Sequence, residues 1–313
     1  MSGAARTAPA ARALAAHLLL LGALAGCAGA LPGLELATPS PYAAGLVDLR
    51  CESAEGVIHA VAAGERARPA VLFLHGTPGR WRAFERYLVD PTLTARFHLV
   101  AVDRLGWGDS HGSGDAAVEP AFDVHSDALA PLIASLDAAN EGAGVLLVGH
   151  SLGASLAPRL AAQHAAQVRG MLLLAGSHDP DRRARRWYNL LADLPPVRWL
   201  IDDDLRRSND EIMALPEQLR RNAELWPELA LPVTVIQGLD DPLVSPGHAD
   251  FVAERAPHAR ILRLEDTNHF VPWNRYELVK TELLSLARRS GETRSRAFAP
   301  DAGSACRAER RGS

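Results

Sequence analysis

The pentapeptide Gly149-His150-Ser151-Leu152-Gly153 lies between an apolar run, residues 145–148, and a helix-like segment, residues 154–166. The apolar run predicts a buried strand, so the pentapeptide predicts a sharp turn from strand to helix. A serine on such a turn exposes its hydroxyl at the C-terminal end of the strand. The flanking glycines let the backbone pass closely where a side chain would collide. Ser151 is therefore the candidate nucleophile.

The sequence also supplies a base and an acid for this serine. A serine hydroxyl is a poor nucleophile at neutral pH, so it needs a base that takes its proton and a carboxylate that orients the base. The candidate base is His269, which follows a short predicted strand, Arg260–Leu264, late in the chain. Two adjacent carboxylates, Asp240 and Asp241, compete for the role of the acid, because both follow the glycine turn that ends a β-rich run.

Two backbone N–H groups are expected to stabilise the negative oxygen of a tetrahedral intermediate. One should come from Leu152, the residue after the nucleophile. The other should come from Thr77 in the turn His75-Gly76-Thr77-Pro78-Gly79, which follows the predicted strand Ala70–Leu74. This composition is also compatible with a plain loop.

Five motifs follow one another along the chain: His75-Gly76-x-Pro78-Gly79, Asp103-Arg104-x-Gly106-x-Gly108-x-Ser110, Gly149-x-Ser151-x-Gly153, Gly238-x-x-Asp241 and Asn268-His269-Phe270. In these motifs and in their order, the chain resembles the serine α/β-hydrolase family across residues 45–289. The resemblance favours Asp241 over Asp240 as the acid, and Ser151 sets the chain apart from members that use an aspartate nucleophile. Where the family often has glycine before the base, this chain has Asn268, which tolerates a left-handed backbone.

The resemblance implies a hydrolase that forms an acyl-enzyme on Ser151 and needs no metal or organic cofactor. Its partner would be a small-molecule acyl substrate, and a carboxylic ester is the commonest choice within the family. A peptidase, an amidase or a C–C hydrolase is the alternative on the same fold. A catalytically silent, membrane-tethered binding module is the alternative from another class.

Strand-like runs alternate with helix-like segments along the chain, which predicts an α/β fold with a mostly parallel twisted sheet and helices on both faces. The stretch of about residues 177–231 is too long for a plain crossover, and it predicts a helical cap inserted over the site. Four aromatic side chains in the cap could line a substrate pocket or form the cap's own core: Trp187, Tyr188, Trp199 and Trp226.

Residues 1–26 predict a secretory signal peptide that ends in Leu24-Ala25-Gly26-Cys27. These four residues match the bacterial lipobox, so Cys27 is expected to carry the lipid anchor and residues 27–44 to form a tether. The predicted location is the bacterial cell envelope, at the outer membrane facing the periplasm. An uncleaved membrane helix and an ordinary cleaved signal are the alternatives.

Composition narrows the classes of function. The net charge of −4 argues against nucleic-acid binding, and a hydrophobic content of 48% suffices for one large domain. Residues 290–313 are rich in Arg, Ser, Gly and Ala and predict a disordered tail. Export permits a disulfide between Cys51 and Cys306, but the sequence leaves this pairing open.

Overall fold

The computed structural model describes residues 45–114, 118–182, 185–292 and 306–309 of the protein. The predicted signal peptide, Cys27 and the tether lie outside the described residues. Within them, no helix is both long and apolar enough to cross a membrane.

One mixed sheet forms the centre of the domain. Its strands are β1 (Val47–Glu52), β2 (Gly56–Ala63), β3 (Ala70–Leu74), β4 (His98–Val102), β5 (His111–Gly112), β6 (Val145–His150), β7 (Val168–Leu174), β8 (Val233–Gly238), β9 (Arg260–Leu264) and β10 (Cys306–Glu309). They lie in the order β10-β1-β2-β4-β3-β6-β7-β8-β9, and the two-residue β5 pairs with β2. Each neighbouring pair in the run β4-β3-β6-β7-β8-β9 is parallel, whereas β1, β2, β5 and β10 pair only antiparallel.

Helices cover both faces of the sheet. They are α1 (Glu85–Leu88), α2 (Pro91–Thr94), α3 (Phe122–Ala139), α4 (Leu152–Gln163), α5 (Trp187–Ala192), α6 (Pro195–Arg198), α7 (Asp203–Ala223), α8 (Gly247–Arg255), α9 (Val271–Asn274) and α10 (Tyr276–Glu292). Helices α3, α4 and α8 pack on one face, whereas α1 and α10 pack on the other. Two 3-10 turns, Trp81–Phe84 and Trp226–Glu228, complete the described elements.

Strand β3 shows why its sequence is apolar throughout. Leu72 and Leu74 belong to the core on one face of the sheet, and Val71 and Phe73 belong to the core on the other. Side chains alternate across a strand, so a strand covered on both faces needs apolar residues at every position. The predicted α/β fold with a mostly parallel sheet is confirmed.

The segment between β7 and β8 contains α5, α6 and α7, as a cap insertion requires. The Asp202 side chain accepts a hydrogen bond from Leu205 N (2.8 Å) and so caps the start of α7. Leu215 and Leu219 attach this helix to the main core. The opposite side of the insertion leaves large apolar side chains exposed: Trp187, Leu190, Leu194, Trp199 and Leu200.

The C-terminal segment differs from the predicted disordered tail at two places. Helix α10 continues to Glu292, and β10 pairs antiparallel with β1. In this register Cys51 lies opposite Cys306, and the two form a disulfide across 255 positions of sequence. The cross-link and the backbone pairing order a short segment whose composition alone predicts no structure.

We expect Cys51→Ser to lower the free energy of unfolding by about 2–4 kcal/mol, because the disulfide no longer restricts the unfolded chain. Urea unfolding with and without a reductant measures this effect. The reductant should destabilise the wild type to the level of the variant and leave the variant unchanged. A wild type whose stability is insensitive to the reductant contradicts the prediction.

Candidate active site

Ser151 occupies a strained turn between β6 and α4. Its backbone has φ 52° and ψ −119°, a conformation that non-glycine residues rarely adopt and that costs about 1–3 kcal/mol. The Ser151 N–H donates to the carbonyl oxygen of Leu174 (2.9 Å), which holds the turn against the neighbouring strand β7. Strain that persists at one serine between a parallel strand and a helix is typical of a nucleophile elbow.

The two glycines of the pentapeptide are required by close backbone contacts. A Cβ atom at Gly149 would lie 2.5 Å from the carbonyl oxygen of Gly153, and one at Gly153 would lie 2.2 Å from that of Leu74. Both distances are shorter than any ordinary carbon–oxygen contact. The glycines therefore allow α4 to begin directly against the ends of β3 and β6.

His269 and Asp241 meet at the same edge of the sheet. The distance from His269 Nδ1 to Asp241 Oδ2 is 2.8 Å, and both side chains are almost fully buried. Burial alone would raise the pKa of the Asp241 carboxyl. The hydrogen bond from His269 and those from the N–H groups of Val244 and Leu243 hold this pKa below its ordinary value. Asp241 is thus an ionised acceptor that orients the imidazole.

The neighbouring carboxylate is placed differently. Asp240 is exposed, and its described contact is a backbone hydrogen bond to the carbonyl oxygen of Thr267 (3.0 Å). Of the two competing carboxylates, Asp241 is therefore the one that the fold brings to His269.

His150 brings the nucleophile turn and the base together, a contact that the sequence did not reveal. Burial, and then the nearby His269, lower the pKa of His150 to about 3. The ring is therefore neutral at pH 7, and its Nε2–H donates to the carbonyl oxygen of His269 (3.0 Å). The described contacts of Ser151 include no hydrogen bond to His269, and such bonds are often long in unliganded enzymes.

The predicted oxyanion donors both border Ser151. Leu152 is the first residue of α4, so its N–H has no partner within the helix. A Cβ atom at Gly76 would lie 2.9 Å from Ser151 Cβ, which places the turn that carries Thr77 directly against the candidate nucleophile. The Thr77 N–H donates to no acceptor among the described residues.

The cap aromatic residues do not share one environment. Trp226 is fully buried in the main core, where its ring packs edge-on against His178 at 5.3 Å, so the pocket prediction is not supported for it. Trp199 is 78% exposed, whereas Trp187 and Tyr188 contact each other at 6.0 Å and stay candidates.

Metal-ligand atoms of His59, Asp103 and Asp109 lie within 4.8 Å of one another. Both His59 nitrogens are already occupied, since they bond Asp103 Oδ2 (2.8 Å) and Asp48 Oδ1 (2.9 Å). Burial lowers the pKa of His59, but the two carboxylates raise it more. Asp103 also accepts from the N–H groups of Trp81 and Asp109. This arrangement is a structural ion-pair cluster.

Comparisons with known proteins identify the family and the fold. The model of the Alpha/beta hydrolase family matches residues 71–281. Wild-type Cfl2 from Burkholderia cenocepacia is 22% identical, with a TM-score of 0.63 over 80% of this chain and 98% of that one.

Two further structures share the fold. The 2-hydroxy-6-oxo-6-phenylhexa-2,4-dienoate hydrolase of Rhodococcus sp. strain RHA1 is 19% identical, with a TM-score of 0.61 over 78% of this chain and 99% of that one. A membrane phospholipase A, described as a bacterial virulence factor, is 21% identical, with a TM-score of 0.60 over 88% of this chain and 99% of that one.

Proposed function

The chain belongs to the Alpha/beta hydrolase family, and from this premise we propose that it is a serine hydrolase that cleaves carboxylic esters through an acyl-enzyme. One observation carries the proposal: the strained Ser151 stands at the sheet edge where His269 is hydrogen-bonded to the buried Asp241. An inert protein has no need to keep a serine in an unfavourable backbone conformation beside such a pair.

The proposed reaction has two half-reactions. The Ser151 oxygen attacks the acyl carbonyl while His269 Nε2 takes its proton, and the Thr77 and Leu152 N–H groups bind the oxyanion. His269 then gives the proton to the leaving alcohol. In the second half-reaction water attacks the acyl carbonyl while His269 takes its proton; the bond from the Ser151 oxygen to the acyl group breaks, the carboxylic acid leaves, and His269 returns the proton to Ser151. Throughout, Asp241 holds the His269 tautomer and stabilises its positive charge.

We also propose that the enzyme is exported and anchored by a lipid on Cys27, at the outer membrane and facing the periplasm. The disulfide between Cys51 and Cys306 supports export, because disulfides persist in oxidising compartments. The lipobox supports the anchor, since acyl chains on one cysteine hold a soluble domain at a membrane surface.

The fold alone does not select the bond that is cleaved, because the structures that share it include a phospholipase and a dienoate hydrolase. A panel with one acyl group presented as ester, thioester, anilide and carbon–carbon substrate separates these chemistries. We expect the ester to be hydrolysed fastest. With methanol added, two esters that share an acyl group should also give the same ratio of carboxylic acid to methyl ester, since both pass through one acyl-enzyme.

Turnover of the anilide or of the carbon–carbon substrate without turnover of the ester contradicts the ester proposal. Partitioning that depends on the leaving group contradicts the acyl-enzyme.

A further inference from the structure

The peptide group between Gly76 and Thr77 is held from its carbonyl side. The Gly76 carbonyl oxygen accepts from His75 Nδ1 (2.7 Å) and from Arg104 Nη2 (3.0 Å). In a planar trans peptide the C=O and N–H bonds point in opposite directions. Two donors that fix the carbonyl of Gly76 therefore also fix the direction of the Thr77 N–H.

The tautomer of His75 is set by its surroundings. The Arg104 backbone N–H donates to His75 Nε2 (2.9 Å), so the ring proton lies on Nδ1, where it can be donated to Gly76. Burial, and then the nearby Arg104 guanidinium, hold the pKa of His75 well below its ordinary value. The ring is accordingly neutral, with Nδ1–H as its donor and Nε2 as its acceptor.

The Arg104 side chain connects this peptide to the cap. Its Nε donates to the carbonyl oxygen of His75 (3.0 Å), and its Nη1 and Nη2 bond Glu211 Oε1 (2.6 Å) and Oε2 (3.1 Å). Glu211 lies in α7 and also accepts from Trp107 Nε1 (3.0 Å). The Arg104 and Glu211 side chains are 0% and 3% exposed, so water does not compete for these bonds.

We propose that Glu211 is a positioning residue for the oxyanion site: through Arg104, it couples the cap to the Gly76–Thr77 peptide and aims the Thr77 N–H at the oxyanion. The proposal rests on the proposed serine hydrolase function. With Glu211 in place, the Arg104 guanidinium is held where it reaches the carbonyl oxygens of His75 and Gly76. Without it, a buried cation loses its partner and must move toward water, which releases the peptide that carries the donor.

The test is Glu211→Gln in the full-length protein, with active sites titrated by a fluorophosphonate so that rates refer to competent enzyme. Loss of one oxyanion donor costs about 10²–10³ in kcat, so a misdirected donor should cost about 10- to 100-fold. KM should change by less than about threefold, because the donor acts mainly in the transition state. Glu211→Asp keeps the carboxylate and should recover most of the rate.

A pair of substrates that differ only at the carbonyl atom reports on the donor itself. An ester develops charge on oxygen, whereas the corresponding thionoester develops it on sulfur, which is larger and accepts hydrogen bonds weakly. The wild type should prefer the ester strongly. In Glu211→Gln this preference should fall by about the same 10- to 100-fold as kcat, because the lost interaction is one that oxygen uses best.

The matched control is Glu282→Gln, which breaks a second bidentate pair, between Glu282 and Arg260 (3.0 Å for both bonds), away from the site. It should lower stability without changing kcat per titrated site. Should Glu211→Gln not fold, Arg104→Lys is compared with Glu282→Gln. Lysine keeps the buried charge but loses the planar fork that bonds His75, Gly76 and Glu211, so kcat and ester preference must both be lower.

Glu211→Gln with lower thermal stability but with the kcat and the ester preference of the wild type overturns the proposal, since Glu211 is then only structural. Absence of fluorophosphonate labelling in the folded wild type is a separate result. It overturns the proposed function, and the positioning role with it.

Discussion

Ser151→Ala is expected to lower turnover about 10⁶-fold, as removal of the nucleophile does in related mechanisms. The Ser151 hydroxyl makes no hydrogen bond among the described residues, so its removal leaves no buried group without a partner. Alanine has the same Cβ constraint as serine at φ 52°, so the strain at the turn is unchanged. The melting temperature should therefore lie within about 2 °C of that of the wild type, since a change of about 1 kcal/mol shifts the melting temperature of such a domain by a few degrees.

The matched control is Ser126→Ala, which removes a buried hydroxyl from α3. Ser126 Oγ is hydrogen-bonded to His164 Nε2 (3.2 Å) and so contributes to stability. This variant should lose about 1–3 kcal/mol of stability and keep turnover within about threefold of the wild type. Turnover by Ser151→Ala within tenfold of the wild type contradicts the role assigned to Ser151.

Asp241→Asn is expected to lower kcat about 10⁴-fold, whereas Asp240→Asn should change it by less than about twofold. An asparagine amide facing His269 Nδ1 can donate a hydrogen bond. It then favours the tautomer with the proton on Nε2, which cannot act as a base toward Ser151. Asp240 is exposed and contacts the loop through its backbone, so its side chain is dispensable.

Steady-state kinetics on both variants, with a circular dichroism spectrum for each, checks this assignment. The Gln237 side chain donates to Asp241 Oδ2 (3.2 Å), and two backbone N–H groups donate to Oδ1. An asparagine side chain can accept on only one of these two positions, so it either rotates or leaves a donor unpaired and lowers stability. The spectrum and a thermal melt report this effect separately from kcat. A severe loss in Asp240→Asn with a mild one in Asp241→Asn reverses the choice of acid.

The strands of the sheet could be predicted because each is marked by a short, continuous stretch of its own sequence. Strands such as Ala70–Leu74 and Val145–His150 are apolar runs that end in glycine or serine turns, and burial on both faces explains why they contain no alternation. The pentapeptide predicted the turn at Ser151 for the same reason, since Gly149 and Gly153 stand where a side chain would meet backbone atoms.

Long-range pairings could not be predicted. Strand β10 has the sequence Cys-Arg-Ala-Glu, whose apolar–polar alternation is only four residues long and does not stand out from the Arg-, Ser- and Ala-rich sequence around it. It forms because β1 offers an edge and Cys51 a cross-link. Glu211 is one acid among many charged residues in α7, and only the fold shows that it turns inward to Arg104. Trp226 could not be separated from the exposed Trp199 by composition, since both are tryptophans next to prolines or leucines.

The most direct test of the central claim is fluorophosphonate labelling of the purified protein beside Ser151→Ala, with intact mass and peptide mapping as the readout. A fluorophosphonate reacts with a serine that a neighbouring base activates, which is the property that the proposed geometry confers. We predict one adduct on the wild type, mapped to Ser151, and none on the variant. A folded wild type without an adduct, or an adduct that persists in Ser151→Ala, would contradict the assignment of Ser151 as the nucleophile.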